Sequence, residues 1–216
     1  MNGPGLDLAT LARRGIRTGR ALAGSPARRS PPRWCLAEVR GRLVEVSGTG
    51  AGAWLSLASL LVAEVQSRGE PAAWVTVRGS VVHPPDLARQ GIDLSALPVV
   101  FSPTAPAAAR AAERLVRSGG FGLVVLDLVG APPTLPPALS SRLAALANRH
   151  GATVLVLVEK DPGAPSLGTR VSLRCEGRRE GGVDGIFSCR VAALRDRLRG
   201  GSWSAAWTCH GPPGLC

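Results

Sequence analysis

From residue 43 onward, two patterns of apolar and polar positions alternate along the chain. Short runs that are apolar throughout, as fully buried strands are, are separated by longer stretches with apolar residues at helical spacing. The predicted strands are 43–48, 71–77, 97–102, 121–129 and 152–159. The predicted helices are 53–68, 85–91, 106–118 and 136–151. This alternation predicts an α/β fold, with a mostly parallel sheet flanked by helices.

The pattern changes after Pro165. Short segments punctuated by glycine now alternate apolar and polar residues, as strands with one solvent-exposed face do. These segments are 169–176, 185–194 and 202–207. We therefore expect additional antiparallel strands, in a meander, towards the C-terminus.

The N-terminal part has a different character. Residues 6–23 have apolar residues at loosely helical spacing, and residues 24–33 are rich in proline and serine, as linkers are. The predicted organisation is a basic arm and linker over 1–33, a core over 34–200, and a C-terminal strand and tail over 201–216.

Composition narrows the class of protein. The 216 residues are 45% hydrophobic and 19% charged, which excludes wholesale disorder and suits one domain plus a tail. No apolar run approaches the roughly 18 residues of a membrane span, and arginines stand where a signal peptide is apolar. Five scattered cysteines, an odd number, favour reduced thiols. We expect a soluble, cytoplasmic protein without contact to a membrane.

The net charge is +11, and 25 of the 26 basic residues are arginine. Residues 1–42 hold nine arginines against Asp7 and Glu38, so the arm carries much of the excess. A basic arm suits a polyanion or an acidic protein face as a partner. A solvated arm that keeps the protein soluble is an equally good interpretation.

Residues 43–61 have the order strand, glycine-rich turn and helix that surrounds a phosphate-binding loop. A working loop needs a lysine for the phosphates and a hydroxyl for magnesium after its last glycine. Gly48 fits the first glycine, but Ala53, Trp54 and Leu55 follow where glycine, lysine and serine or threonine belong. Losing the lysine removes a charge-assisted contact of roughly 1.5–3 kcal/mol. We interpret Trp54 as a core or pocket filler and expect no bound nucleotide.

Residues 42–130 resemble the core of a RecA-type recombinase. The resemblance rests on RLVEVSG, on DLARQGIDLSALPVV and on ERLVRSGGFGLVVLDLV, and it places Asp127 in the magnesium-linked position. It also places Arg78 where the family has its catalytic glutamate, and Lys160 where it has a γ-phosphate-sensing glutamine. The two DNA-binding loops look shortened, the second to 160–168. The expected degenerate nucleotide site comprises Gly48, Gly50, Gly52, Ala53, Trp54, Leu55, Arg78, Asp127 and Lys160.

The phosphate lysine, the magnesium-binding hydroxyl, the catalytic glutamate and the full-length DNA-binding loops are thus all missing. A chain that keeps the fold without them is similar to the ImuA family, RecA-like accessory proteins of damage-induced mutagenesis. That resemblance implies a non-enzymatic adaptor without a cofactor. Its partners would be RecA and the translesion assembly built on ImuB, an inactive homologue of Y-family polymerases. Two alternatives stay open. One is a cell-division inhibitor of the SulA type, and the other is an unconventional ATPase in which Lys160 or a neighbouring subunit supplies the cation that contacts the phosphates.

Several residues carry hypotheses of their own. Asp127 needs a partner in place of magnesium, either a basic side chain (Arg78 or Lys160) or water and turn amides. His83, His150 and the cysteines do not converge on a zinc site, so no metal is expected. Trp203 and Trp207 either pack in the core or contact a partner. Four arginines either contact phosphates or take part in protein contacts or self-association, namely Arg13, Arg14, Arg17 and Arg20. We expect any DNA binding to be weak or indirect.

Overall fold

The computed structural model describes residues 33–50, 52–77, 82–183 and 186–210, which form one sheet and the helices that cover it. The helices are α1 (Leu36–Val39), α2 (Trp54–Ser67), α3 (Pro84–Arg89), α4 (Ala105–Ser118) and α5 (Pro137–His150), with a 3-10 turn at Leu94–Ala96. The strands are β1 (Leu43–Gly48), β2 (Ala72–Val77), β3 (Val99–Ser102), β4 (Leu123–Asp127), β5 (Thr153–Glu159), β6 (Leu173–Val183), β7 (Ile186–Asp196) and β8 (Trp203–His210). The predicted helix at 6–23 and the arginine cluster within it lie outside the described residues.

The eight strands have the order β3-β2-β4-β5-β1-β6-β7-β8. The first six strands in this order, β3 to β6, are parallel to one another, whereas the β6–β7 and β7–β8 pairs are antiparallel. Every residue of β1, β2 and β4 is buried, which explains why apolar residues occur on both faces of these strands. The predicted fold class, a mostly parallel sheet flanked by helices with antiparallel strands at the end, is confirmed.

Helices cover the sheet on two sides and divide the core into two clusters. Helix α2 packs on the first face, against Val44, Val46 and Trp74. Helices α4 and α5 pack on the second face, around Leu43 and Val154. Because side chains alternate along a strand, successive residues of β1 contribute to different clusters.

The helix ends follow local sequence signals. Thr104 caps α4, since its hydroxyl oxygen accepts a hydrogen bond from the amide of Ala107 at 3.4 Å. Helices α4 and α5 both stop at a glycine in the left-handed region, Gly119 with φ 71° and Gly151 with φ 62°. The sequence therefore places both ends of α4, and the end of α5, to within a residue.

Strand β6 differs from the prediction in its limits and in its neighbour. It begins at Leu173 rather than at residue 169, because residues 168–171 form a turn in which the amide of Val171 donates to Gly168 O. It also runs on through a glycine-rich stretch to Val183 and pairs in parallel with β1. The C-terminal strands thus extend the main sheet directly.

A buried polar cluster joins the start of β1 to the end of β7 and the start of β8. Arg42 binds Asp196 at 2.7 Å, and the Trp203 indole N–H donates to the same carboxylate at 3.0 Å. Burial opposes ionisation of Asp196, but the hydrogen bonds from Trp203 and Arg42 outweigh it and lower the pKa of this carboxyl. The cluster fixes the orientation of Trp203 at the start of the last strand.

No described helix combines the length and the apolar character that crossing a bilayer requires.

Candidate functional site

The candidate nucleotide site lies at the carboxyl ends of the parallel strands, where open α/β sheets bind ligands. Gly48 ends β1, and the loop that follows leads to the first residue of α2, Trp54. Asp127 ends β4, and Lys160 follows β5, where its amide donates to Gly48 O at 2.9 Å. Adjacent strand ends therefore bring most of the predicted residues together. Arg78 is outside the described residues.

The side chain of Trp54 turns back against the loop instead of pointing to solvent. It is only 7% exposed and belongs to the first core cluster, as the filler interpretation predicts. A Cβ atom on Gly52 would overlap the six-membered part of the indole, and one on Gly48 would lie 2.9 Å from Trp54 Cζ3. The ring thus packs on the backbone at both ends of the loop, where phosphate-binding loops hold their ligand.

Backbone amides of the loop already have protein acceptors. The Gly52 amide donates to Gly50 O at 2.8 Å, and the Ala53 amide donates to Gly177 O of β6 at 3.3 Å. Gly52 also forms an isolated antiparallel bridge with Arg178. In a phosphate-binding loop such amides point at the phosphates. Here a phosphate would have to displace the indole and compete with these hydrogen bonds.

Lys160 is committed to an ion pair that the sequence analysis did not identify. Its Nζ lies 2.5 Å from Oε1 of Glu45, a fully buried residue of β1, and donates to Pro165 O at 2.7 Å. Arg174, which faces Glu45 across the β1–β6 pair, places its Nε 3.2 Å from the same oxygen. One buried carboxylate therefore holds two cations.

The same carboxylate fixes the segment 160–168. Oε2 of Glu45 accepts hydrogen bonds from the Ser166 hydroxyl and the Leu167 amide, each at 2.8 Å. Arg174 also donates to Pro162 O at 2.8 Å. The segment that resembles a shortened DNA-binding loop is thus held to the sheet by side chains of β1 and β6.

Asp127 lies on the opposite face from this ion pair. Alternation along β4 directs it to the first face with Val125, whereas Glu45 shares the second face with Leu43. Asp127 is fully buried; it accepts hydrogen bonds from the Thr76 hydroxyl at 3.2 Å and from the Val129 amide at 3.1 Å. Lys160 is therefore bound to Glu45 rather than to Asp127, and the alternative of a turn amide agrees with the Val129 contact. Arg78, the other basic side chain of the hypothesis, lies outside the described residues, so that part stays a prediction.

Reactive thiols and metal ligands do not add chemistry to the described part of the chain. Its four cysteines, Cys35, Cys175, Cys189 and Cys209, are free. Burial raises the pKa of the Cys175 thiol, and burial together with a hydrogen bond to Cys189 raises that of Cys209 to about 12. Both thiols therefore stay protonated and are weak nucleophiles. The described histidines, cysteines and carboxylates form no cluster suited to a metal ion.

Trp203 and Trp207 lie on one face of β8, and both are half-buried against the first core cluster. The structure thus supports packing for both, and it leaves part of each ring accessible at the edge of the sheet.

Sequence reasoning missed two residues of the site. Glu45 was the only carboxylate in an otherwise apolar and serine-containing strand, which is a usable signal because buried charges need partners. Gly177 was not recognisable, since its need for glycine comes from Leu57, whose Cδ1 would lie 2.7 Å from an added Cβ.

Comparison with known proteins agrees with this geometry. Residues 37–138 match the family model of the RecA N-terminal domain. The chain is 37% identical over 93 residues to protein RecA of Nocardia farcinica, and 36% identical over 93 residues to that of Clostridium acetobutylicum. Each alignment covers 43% of this chain and 26% of the relative, so the chain matches about a quarter of the length of these proteins. With the sheet described above, these matches show that residues 37–138 are similar to the N-terminal domain of RecA.

Proposed function

We propose that this RecA-like protein neither binds nor hydrolyses ATP and serves as an adaptor in damage-induced mutagenesis. In this role it binds RecA and a translesion assembly built on an ImuB-type homologue of the Y-family polymerases. The position of the Trp54 indole carries the proposal, because it lies against the loop that would otherwise hold the phosphates.

Two further contacts support the loss of nucleotide chemistry. The amide of Ala53 donates a hydrogen bond to Gly177 O, so the start of α2 offers one donor fewer to an anion. The ammonium of Lys160 is bound to Glu45 on the second face, away from Asp127. An ATPase that recruits Lys160 as its phosphate cation would first have to break a buried ion pair.

The nucleotide part of the proposal predicts that Mg-ATP leaves the melting temperature unchanged. A ligand at 100 times its Kd adds about 2.7 kcal/mol, which raises the melting temperature of a chain this long by about 5–10 °C. Differential scanning calorimetry of the full chain with millimolar Mg-ATP measures this directly, with a bona fide RecA as the positive control. A rise of several degrees would overturn the claim that ATP does not bind, and phosphate release would overturn the claim that it is not hydrolysed.

The partner part predicts that the full chain sediments with RecA filaments assembled on single-stranded DNA. The same DNA without RecA is the control, since an arginine-rich protein binds polyanions on its own. Retention with filaments at a salt concentration that abolishes binding to DNA alone is the expected result. Binding instead to polymers of the bacterial division GTPase would favour the inhibitor alternative, and binding to neither would leave the adaptor role without support.

A further inference from the structure

The last strand of the sheet has an open edge. Among the strands that the structure describes, β8 pairs only with β7, so the backbone groups on its other side have no strand to bond. Native proteins protect such edges with charges, prolines, bulges or short length. Residues 203–209 contain no charged residue and no proline, and the strand is eight residues long.

The opposite edge is protected. Strand β3 has only four residues and lies between Pro98 and Pro103. Proline cannot donate a hydrogen bond to a sheet, so it stops pairing at both ends of β3. Within the part of the chain that the structure describes, one edge strand is thus short and flanked by proline, whereas the other is long and uncharged.

The sequence of β8 is compatible with pairing to itself. In an antiparallel pair, directly opposite residues share a face, so a twofold axis at Ala206 places Trp207 opposite Ala205 of a second copy. The same register pairs Ser204 with Thr208. Each indole therefore meets a small side chain, and no like charges oppose each other.

The two tryptophans of β8 are already held in place within the described structure. Trp203 is held by Asp196, and Trp207 packs on the first core cluster. Side chains that are already fixed lose little conformational entropy on binding.

We propose that two copies of this protein associate through antiparallel pairing of their β8 strands. The two sheets become continuous, and the half-buried indoles of both copies form one row along the shared face. This inference is independent of the role of the nucleotide site, because every contact that it uses lies at the far edge of the sheet.

Sedimentation equilibrium of the full chain without nucleotide tests the proposal. We expect the apparent mass to rise towards twice the monomer mass with increasing concentration, and the amides of residues 203–209 to exchange more slowly over the same range. A single-strand interface is small, so the association should be reversible.

A matched pair of variants tests the register. Ser204 and Thr208 are exposed and would face each other across the axis. Ser204→Lys with Thr208→Lys puts like charges opposite each other and should abolish the dimer, whereas Ser204→Lys with Thr208→Glu pairs opposite charges and should retain it. Equal melting temperatures of the two variants at low concentration would show that both fold.

Three results would overturn the proposal. The wild type could remain monomeric at all concentrations with rapidly exchanging β8 amides, which would leave the edge for another protein. It could be monomeric with these amides protected, which would mean that another part of its own chain covers the edge. The two double variants could also dimerise equally well, which would place the interface elsewhere.

Discussion

Replacing Trp54 with alanine should lower the free energy of unfolding by about 3–5 kcal/mol, the range for removing a buried large aromatic side chain. The indole is 7% exposed and packs on the backbone at Gly48 and Gly52, where little can move in to fill the space. Urea denaturation of the variant and the wild type measures the difference.

Leu60→Ala is the matched control, because Leu60 lies on the same helix α2 but is 36% exposed. The Leu60 substitution should lower the free energy of unfolding much less than the Trp54 substitution does. Equal costs for the two variants would mean that the indole does not fill the loop.

Replacing Lys160 with methionine should destabilise the protein by about 3 kcal/mol. Removing one partner of a buried ion pair typically costs about 3–5 kcal/mol, because the other charge stays buried. We expect the lower end of that range, since Arg174 still lies 3.2 Å from Glu45. Amides in residues 160–168 should also exchange faster, because Lys160 no longer bonds Pro165 O.

Arg190→Met provides the comparison, because the Arg190–Glu180 pair has both side chains 47% exposed. Exposed pairs contribute less than about 1 kcal/mol. A double variant, Lys160→Met with Glu45→Gln, should recover part of the loss by removing the uncompensated carboxylate. Additive effects of the two substitutions would show that Lys160 and Glu45 are not coupled.

The parallel core was predictable because its strands are apolar on both faces and its helices end at recognisable signals. β1 lies at the predicted residues 43–48, and α5 stops at the predicted Gly151. The C-terminal strands were less predictable. Alternating residues in β6 indicate one exposed face, but they do not reveal that β6 pairs with β1.

That missing neighbour explains why the second cation at Glu45, Arg174, could not be predicted. Glu45 is recognisable as a carboxylate within an apolar strand, but only the β1–β6 register brings Arg174 opposite it. The face that each side chain occupies also matters. Asp127 ends β4 and Glu45 lies within β1, with β5 between the two strands, and their side chains point to opposite faces of the sheet. Residue types alone therefore identified the altered loop, whereas the new ion pair required the three-dimensional arrangement.

Pro98 and Pro103 have a consequence for the kind of particle that strand pairing can build. A sheet with two open edges can add molecules indefinitely and grow into a polymer. Because β3 is short and flanked by proline, β8 is the edge strand of the described sheet that is better suited to pairing, and a twofold contact uses up that edge on both molecules. Growth by the proposed route is self-limiting, because two copies that pair through β8 leave no β8 edge open to a third.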